Sequence, residues 1–371
     1  MLLVVTITFT VYCIYLLSLL YIFRGVKNNY KASSSEQNLP KVSIIIAARN
    51  EEKTILYCLQ SIYQSNLEKL AYEVIVVNDH SSDNTLAILQ NADFPNLTIL
   101  DATGSGKKAA ISQAVKIANG SIIGCTDADC IVSPNWIEDC VAYIQDNKLD
   151  IATGIVKYQK GSTTLDRFQY FDNINSMAVT ASGINNQSFY LANGANFWYK
   201  KSVFEELNGY TRNYSLQSGD DVFLIQEAAK AGRYKIGFLA GREMFVTTSS
   251  EKSISAFLQQ RKRWASKTSK YPQKNIVLIQ AIAFTYSFLI LLLTPAIIKL
   301  HFIGTLLFVA AILLKVLTDY AYLKNVSKKL NIEFDSEKLG ICSILYVPFI
   351  LWSGIIASRP RSYIWKGRRV T

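Results

Sequence analysis

"SIIGCTDADC" (Ser121–Cys130) reads as a short apolar strand that ends abruptly in two carboxylates. Asp127 and Asp129 stand two residues apart, so an extended backbone points both the same way. Two like charges on one side repel unless a cation or a hydrogen-bond donor meets them. Cys125 and Cys130 flank the pair. Either the acids are solvated residues of a turn, or they hold a ligand. Oxygen donors of this kind suit a hard ion, Mg²⁺ or Mn²⁺, that keeps coordination positions for water and phosphate oxygens. The thiols read as small apolar packing groups.

Outward from this strand the same pattern recurs. "KKAAISQAVKIAN" (107–119) has helical character and is closed by Gly120. "LTILD" (97–101), "YEVIVVND" (72–79) and "VSIIIAA" (42–48) are apolar runs of the kind that sheets bury on both faces. "EEKTILYCLQSIYQS" (51–65) and "NTLAILQNA" (84–92) have helical spacing between them. Strand and helix alternate, which predicts an α/β fold with a mostly parallel sheet flanked by helices. Ligands of such sheets sit beyond the carboxyl ends of the strands. The polar residues gather there: Arg49 and Glu51 after the first strand, Asn78, Asp79 and Asp83 after the second, 104–108 after the third, Asp127 and Asp129 after the fourth.

Each group also has a plainer reading. Asp83 suits an N-cap for the next helix. Ser218 followed by Asp221 resembles a capping box, so the acids of "SGDDVFLIQEAAKAG" (218–232) either serve a helix start or place Asp221 as a general base. "GSGKK" after the third strand superficially satisfies a dinucleotide-binding fingerprint, and a basic loop opening a helix suits phosphate in any case. In "QQRKRW" (259–264), Gln260, Arg263 and Trp264 share one helical face. An interfacial helix with snorkelling basic residues accounts for Arg261 and Lys262 but not for that shared face.

The chain has 371 residues, half of them hydrophobic and 18% charged. The apolar excess is concentrated. Leu2–Phe23 carries no charge and has about the 20-residue length needed to cross a bilayer. Residues 276–298, 302–323 and 340–358 repeat the pattern, the last containing Pro348 and preceding a basic tail, 359–371. The expected organisation is a transmembrane helix (1–24), a linker (25–40), a catalytic domain with an interfacial helix (41–270), three membrane segments and the tail. Arg24, Lys27 and Lys31 put the central region in the cytoplasm of a multi-pass cell (inner) membrane protein. The net charge of +11 then reads as attraction to anionic lipid, not nucleic acid. With three full later spans the basic tail would lie outside, so either the last segment is re-entrant or one span is misread. Six scattered cysteines without a Cys-x-x-Cys pair, and two histidines, lack the spacing of a zinc site.

Taken in order, "VSIIIAARNEE", "EVIVVNDHSSDNT", "GKKAAISQAV", "DADC", "NGANFWYKKSVFEELNGY", "GDDVFLIQEA" and "QQRKRW" resemble the motifs of the membrane-anchored family 2 glycosyltransferases with a GT-A fold. The resemblance covers roughly 41–270. It implies that Asp79 contacts the nucleotide base, with Arg49 and Glu51 in the same pocket. It makes Asp127 the holder of the nucleotide-sugar and Asp129 the ligand of a divalent ion, Mg²⁺ or Mn²⁺. Lys107 matches the lysine after the third strand, Asp221 the catalytic base, and Gln260, Arg263 and Trp264 the Gln-x-x-Arg-Trp motif that holds the diphosphate and shapes the acceptor site. Asn78, Asp220 and Arg49 depart from the commoner Asp, Glu and aromatic residue.

The implied activity is inverting, metal-dependent transfer from a nucleotide-sugar, a UDP-sugar foremost, to a membrane lipid or lipid-linked acceptor. A processive polysaccharide synthase is the neighbouring alternative, and four spans are few for a polymer channel. A dinucleotide-dependent membrane oxidoreductase using Gly104, Gly106 and Asp127 leaves Asp129 and Asp221 without a role. A non-enzymatic scaffold leaves the three aspartates without one.

Overall fold

The computed structural model describes residues 2–27, 39–64, 71–211, 219–268, 274–357, 363–365 and 368–370. Most of the linker expected at 25–40, Ser218, and parts of the tail lie outside these residues. The chain divides into two compact units. One comprises Asn28–Gln159 with Tyr190–Ser249, the other Met1–Lys27, Lys160–Phe189 and Ser250–Thr371. The expected single span 41–270 is therefore divided, since 160–189 and 250–268 pack with the apolar helices.

The first unit is built on nine strands. β1 (Val42–Ala48), β2 (Tyr72–Asn78), β3 (Leu97–Asp101) and β4 (Ile122–Asp127) are the four read from sequence. α2 (Ile55–Tyr63), α3 (Thr85–Gln90) and α4 (Lys107–Ile117) connect them. β5 (Ile131–Val132), α5 (Trp136–Asp146), β6 (Ile151–Tyr158), β7 (Phe197–Lys200), α7 (Lys201–Glu206), α8 (Asp220–Ala231), β8 (Ile236–Leu239) and β9 (Phe245–Thr248) follow. The strand order is β3-β2-β1-β4-β7-β6-β9-β5, with β8 also paired to β6. β1 to β4 are mutually parallel, and so are the pairs of β6 with β8 and β9. β7 runs antiparallel to β4 and β6, and β5 to β9. The sheet is thus mixed, with parallel pairs in the majority.

Register places the site. Ala48 pairs with Asn78 and Asn78 with Asp101, while Ala47 pairs with Asp127. Four carboxyl ends therefore finish within one layer. Asn50 (φ 53°) and His80 (φ 54°) turn the chain there in left-handed conformations, which asparagine and histidine tolerate better than most residues.

Where β7 begins, beside the carboxyl end of β4, a polar residue organises the core. Asn196 is fully buried. Its Oδ1 accepts from the indoles of Trp136 and Trp198 at 3.1 and 3.0 Å, and its Nδ2 donates to the carbonyls of Ile155 and Met244. Asn196→Leu strands two buried indole N–H groups and two carbonyls. Each unsatisfied group costs roughly 1–3 kcal/mol, so for the four together a loss of at least about 4 kcal/mol is expected. Thermal unfolding of the detergent-solubilised protein measures it, and an unchanged melting temperature would contradict the hub assignment.

The second unit contains α1 (Leu2–Gly25), α6 (Thr164–Asn185), α9 (Ile254–Thr268), α10 (Lys274–Leu292), α11 (Thr294–Leu330) and α12 (Leu339–Ala357), then the hairpin of β10 (Tyr363–Trp365) and β11 (Arg368–Val370). Four of these helices are long and apolar enough to cross a membrane: Val5–Gly25, Lys274–Leu292, Phe302–Leu330 and Leu339–Ala357. The third of these spans begins at Phe302, as expected, while the helix break before it falls at Leu293. Pro295 is the cause. It lacks a backbone donor and its ring clashes inside a helix, so it opens a new helix at the first turn of α11. α11 then runs on to Leu330, past the expected end at 323, and stops where Asn331 takes a left-handed conformation (φ 53°).

α6 begins with a reciprocal capping box between Thr163 and Asp166. It is largely buried along its length, and for that reason shows no amphipathic period. Tyr15, Leu19, Tyr286, Ile290 and Val347 form an apolar cluster among α1, α10 and α12. Lys315 and Asp319 of α11 are buried and paired with each other.

Candidate active site

The site in the first unit begins at the turns after β1 and β2. Arg49 donates from its guanidinium to the backbone carbonyls of Asp79 (2.7 Å) and His80 (3.2 Å). Glu51 sits at the start of the α2 segment, accepting from Thr54 Oγ1 at 2.8 Å. Asp79 is buried, and its Oδ1 accepts the Gly106 N–H at 3.0 Å. That contact ties the end of β2 to the loop before α4. Gly106 (φ 94°) holds a conformation closed to side chains and delivers Lys107 into the first turn.

Lys107 is the electrostatic centre. Its Nζ lies 2.5 Å from Asp127 Oδ1 and 3.6 Å from Asp220 Oδ2. Burial alone would lower its proton affinity. Asp127, Asp220 and Asp221 outweigh burial and hold the ammonium well above the ordinary lysine range. The backbone of Gly194 passes beside these groups. A Cβ there would stand 2.9 Å from Lys107 Nζ, 3.4 Å from Asp221 Oδ2 and 3.6 Å from Asp220 Oδ2. Lys107, Asp127, Asp220 and Asp221 therefore converge on one small region. Asp221 lies in the first turn of α8, after Gly219 (φ 87°), and its Oδ1 accepts the Val222 N–H at 2.8 Å. Ser218, which the capping-box reading needs, is outside the described residues.

The acids, not the thiols, fit a metal. Ligand atoms of Asp127, Asp129 and Cys130 lie within 4.8 Å of one another. Burial pushes the Cys130 thiol up, and Asp129 and Asp127 add to it. Cys125 is likewise pushed up to about 12 by burial. Sulfur is a soft donor, and Mg²⁺ and Mn²⁺ prefer carboxylate, carbonyl and water oxygens. Asp127 already has an ammonium against it, whereas Asp129 is exposed. The donor set is hard oxygen, centred on Asp129, as Mg²⁺ or Mn²⁺ requires. Cys130→Ala is expected to leave metal-dependent nucleotide affinity within about threefold of the parent, as for a residue that packs and gives Asp129 Oδ1 a weak S–H hydrogen bond (3.6 Å). A loss like that of Asp129→Ala would return the thiol to the ligand set. Titration calorimetry measures both.

Two expectations change. Asp83 does not stand at the N-cap position, which is Asn84, yet it binds the helix start as a cap does, accepting from Thr85 N–H (3.0 Å) and Thr85 Oγ1, and it also accepts from Glu52 N–H (3.1 Å). It braces two loops. Nor is Arg261 a snorkelling surface residue. Its side chain is 6% exposed and ion-paired to Asp172 at 2.7 Å. Gln260, Arg263 and Trp264 lie with it on α9, in the second unit. Asn196, Asp172 and Gly194 were missed by sequence reasoning. Gly194 and Asn196 fall within "NGANFWYKKSVFEELNGY", which entered only as part of the family resemblance.

Comparison with known proteins agrees with the fold and the family resemblance. The family model "Glycosyl transferase family 2" matches residues 43–208. Glycosyltransferase AglE of Haloferax volcanii is 31% identical over 205 residues, 54% of this chain and 64% of that protein. Probable glycosyltransferase YdaM of Bacillus subtilis is 29% identical over 258 residues, 64% of this chain and 58% of that protein. The chain thus spans less than two thirds of the length of these curated relatives. The solved mannosyltransferase PcManGT from Pyrobaculum calidifontis, in complex with GDP-Man and Mn²⁺, superposes with a TM-score of 0.62 at 17% identity, covering 88% of this chain and 99% of that one. Residues 43–208 are thus similar to glycosyl transferase family 2, in a chain of GT-A fold that also carries four helices long and apolar enough to cross a membrane.

Proposed function

We propose that the protein transfers a sugar, with inversion, from a nucleotide-sugar to a membrane lipid or lipid-linked acceptor. The observation that supports this reading most is the gathering of Lys107, Asp127, Asp220 and Asp221 at the carboxyl end of β4, beside exposed Asp129. Asp79 and Arg49 receive the base end of the donor. Lys107 supplies positive charge toward the diphosphate. Asp221 accepts the proton of the acceptor hydroxyl, whose oxygen bonds to the anomeric carbon as the bond to the diphosphate breaks. A single displacement without a protein nucleophile inverts the configuration. A divalent cation at Asp129, Mg²⁺ or Mn²⁺, supplies charge neutralisation for the departing diphosphate when bound. Gln260, Arg263 and Trp264 are assigned the diphosphate and acceptor roles of their motif.

UDP is the preferred nucleotide of this reading, and GDP-mannose is the control suggested by the ligand of the Pyrobaculum protein. The first unit lies on the cytoplasmic side, since Arg24 and Lys27 follow α1. β10 packs against α9, which favours the tail on the side of α9. One sugar per turn of catalysis is favoured over polymerisation because the four apolar helices among the described residues are few for a polymer channel.

The test is nucleotide release by purified protein across UDP-sugars and GDP-mannose, with Mn²⁺ or Mg²⁺ and a total lipid extract. Metal-dependent release from one donor, with one sugar added to a lipid, is expected. A ladder of longer products would move the assignment to a polysaccharide synthase. Release from no donor, in folded protein, would sink it.

A further inference from the structure

Arg261 stands inside the Gln-x-x-Arg-Trp sequence at a position the motif leaves open. Its guanidinium is buried and faces Asp172 of α6, itself 8% exposed. Tyr346 of α12 donates to the other oxygen of Asp172 at 3.3 Å. Trp264, one turn ahead on α9, lays its ring 4.1 Å from the Arg261 guanidinium, and Phe257, one turn behind, stands 5.0 Å from it. The neighbouring motif residue is anchored in parallel. Gln260 Nε2 donates to Glu251 at 3.0 Å, while Gln169 of α6 clasps the Glu251 backbone at both its N–H and its carbonyl. Gln169 and Asp172 lie three residues apart, on one face of α6.

Helix cohesion alone does not call for this arrangement. A buried ion pair adds little net stability over apolar side chains of equal volume. Neither Arg261 Nε nor Nη2, moreover, makes a hydrogen bond of good geometry among the described residues, so Asp172 meets Nη2 as a close ion contact. An apolar pair cannot offer a flat cation to the face of an indole. We propose that Arg261, held by Asp172, is a positioning residue that fixes the ring of Trp264 and the rotation of α9, and so the aim of Gln260 and Arg263. Its kinetic consequence rests on the function proposed above; its geometric consequence does not.

The experiment uses the full-length protein in detergent, labelled with 5-fluorotryptophan. Trp264→Phe assigns the Trp264 fluorine resonance. Single removal of Arg261 or Asp172 leaves a lone buried charge and risks misfolding, so the decisive variants are the neutral pair Asp172→Asn with Arg261→Gln, and Arg261→Lys, which keeps the charge and loses the plane. Both are expected to melt near the parent, to shift and sharpen the Trp264 resonance, and to lose roughly ten- to a hundredfold in kcat/KM for the acceptor. The thermal melt alone would not move with a positioning role. An unmoved Trp264 resonance in both folded variants overturns the proposal. A moved resonance with unchanged acceptor kcat/KM overturns its functional half. If the parent uses no donor at all, the proposed function fails, while the resonance still decides the positioning.

Discussion

Asp221→Asn lowers turnover by roughly 10²–10⁴-fold, the range expected for loss of a general base, and leaves nucleotide affinity near the parent's. Asparagine has the same shape and keeps an oxygen to accept the Val222 N–H. It cannot take a proton. The carboxylate sits in the first turn of α8, where the helix dipole favours negative charge. Two readings of this residue are separable. If Asp221 only serves the helix start, the asparagine variant melts slightly lower and turns over normally. If it is the base, the melt is unchanged and the chemical step is slow. Steady-state release of nucleotide, with melting curves run alongside, distinguishes them. Loss of less than about tenfold would remove Asp221 from the role.

Lys107→Met has the second largest expected effect, and it acts on binding. The ammonium holds Asp127 at 2.5 Å and Asp220 at 3.6 Å. Without it three carboxylates share a confined region, and a diphosphate would add further negative charge. Nucleotide affinity should fall by about a hundredfold, the loss of a charge-assisted contact plus new repulsion. Stability should drop by about 2 kcal/mol. The pH dependence follows from the sign of the shift. Folded Lys107 binds its proton more tightly than an unfolded lysine. Its contribution to stability is thus complete below the ordinary lysine value of about 10.4 and fades only as pH rises through the higher folded value. The parent's nucleotide affinity should show no alkaline break from this group below about pH 10. Binding titrations across pH check this, and a break near neutrality would mean that another group carries the charge.

Legibility from sequence followed physical locality. β1 to β4 were readable because strands buried on both faces are continuous apolar runs, and their polar ends stand out against them. The acids of the site lie at those ends, so Asp79, Asp127 and Asp129 were found together with the fold. The pairing of Lys107 with Asp220 joins distant segments and leaves no spacing to read. Asn196 was hidden for a related reason, as its four partners come from α5, β6, β7 and the turn before β9. α6 is buried nearly all round, so its period is silent, although the Thr163–Asp166 capping box marks its start. In 276–323 continuous apolarity masked the helix break, while Pro295 alone announced it. Arg261 was misread because a basic residue beside a membrane segment ordinarily faces water, and its partner Asp172 is on another helix.

The central claim is that the acids at the end of β4, with Lys107, form a donor site that takes a divalent cation at Asp129. Titration calorimetry with UDP and GDP, with and without Mn²⁺, tests it most directly in the parent and in Asp129→Ala. Metal should strengthen binding of one nucleotide by at least about tenfold in the parent, and that increment should vanish in Asp129→Ala while weak metal-free binding persists. Affinity indifferent to both metal and Asp129 would contradict the account.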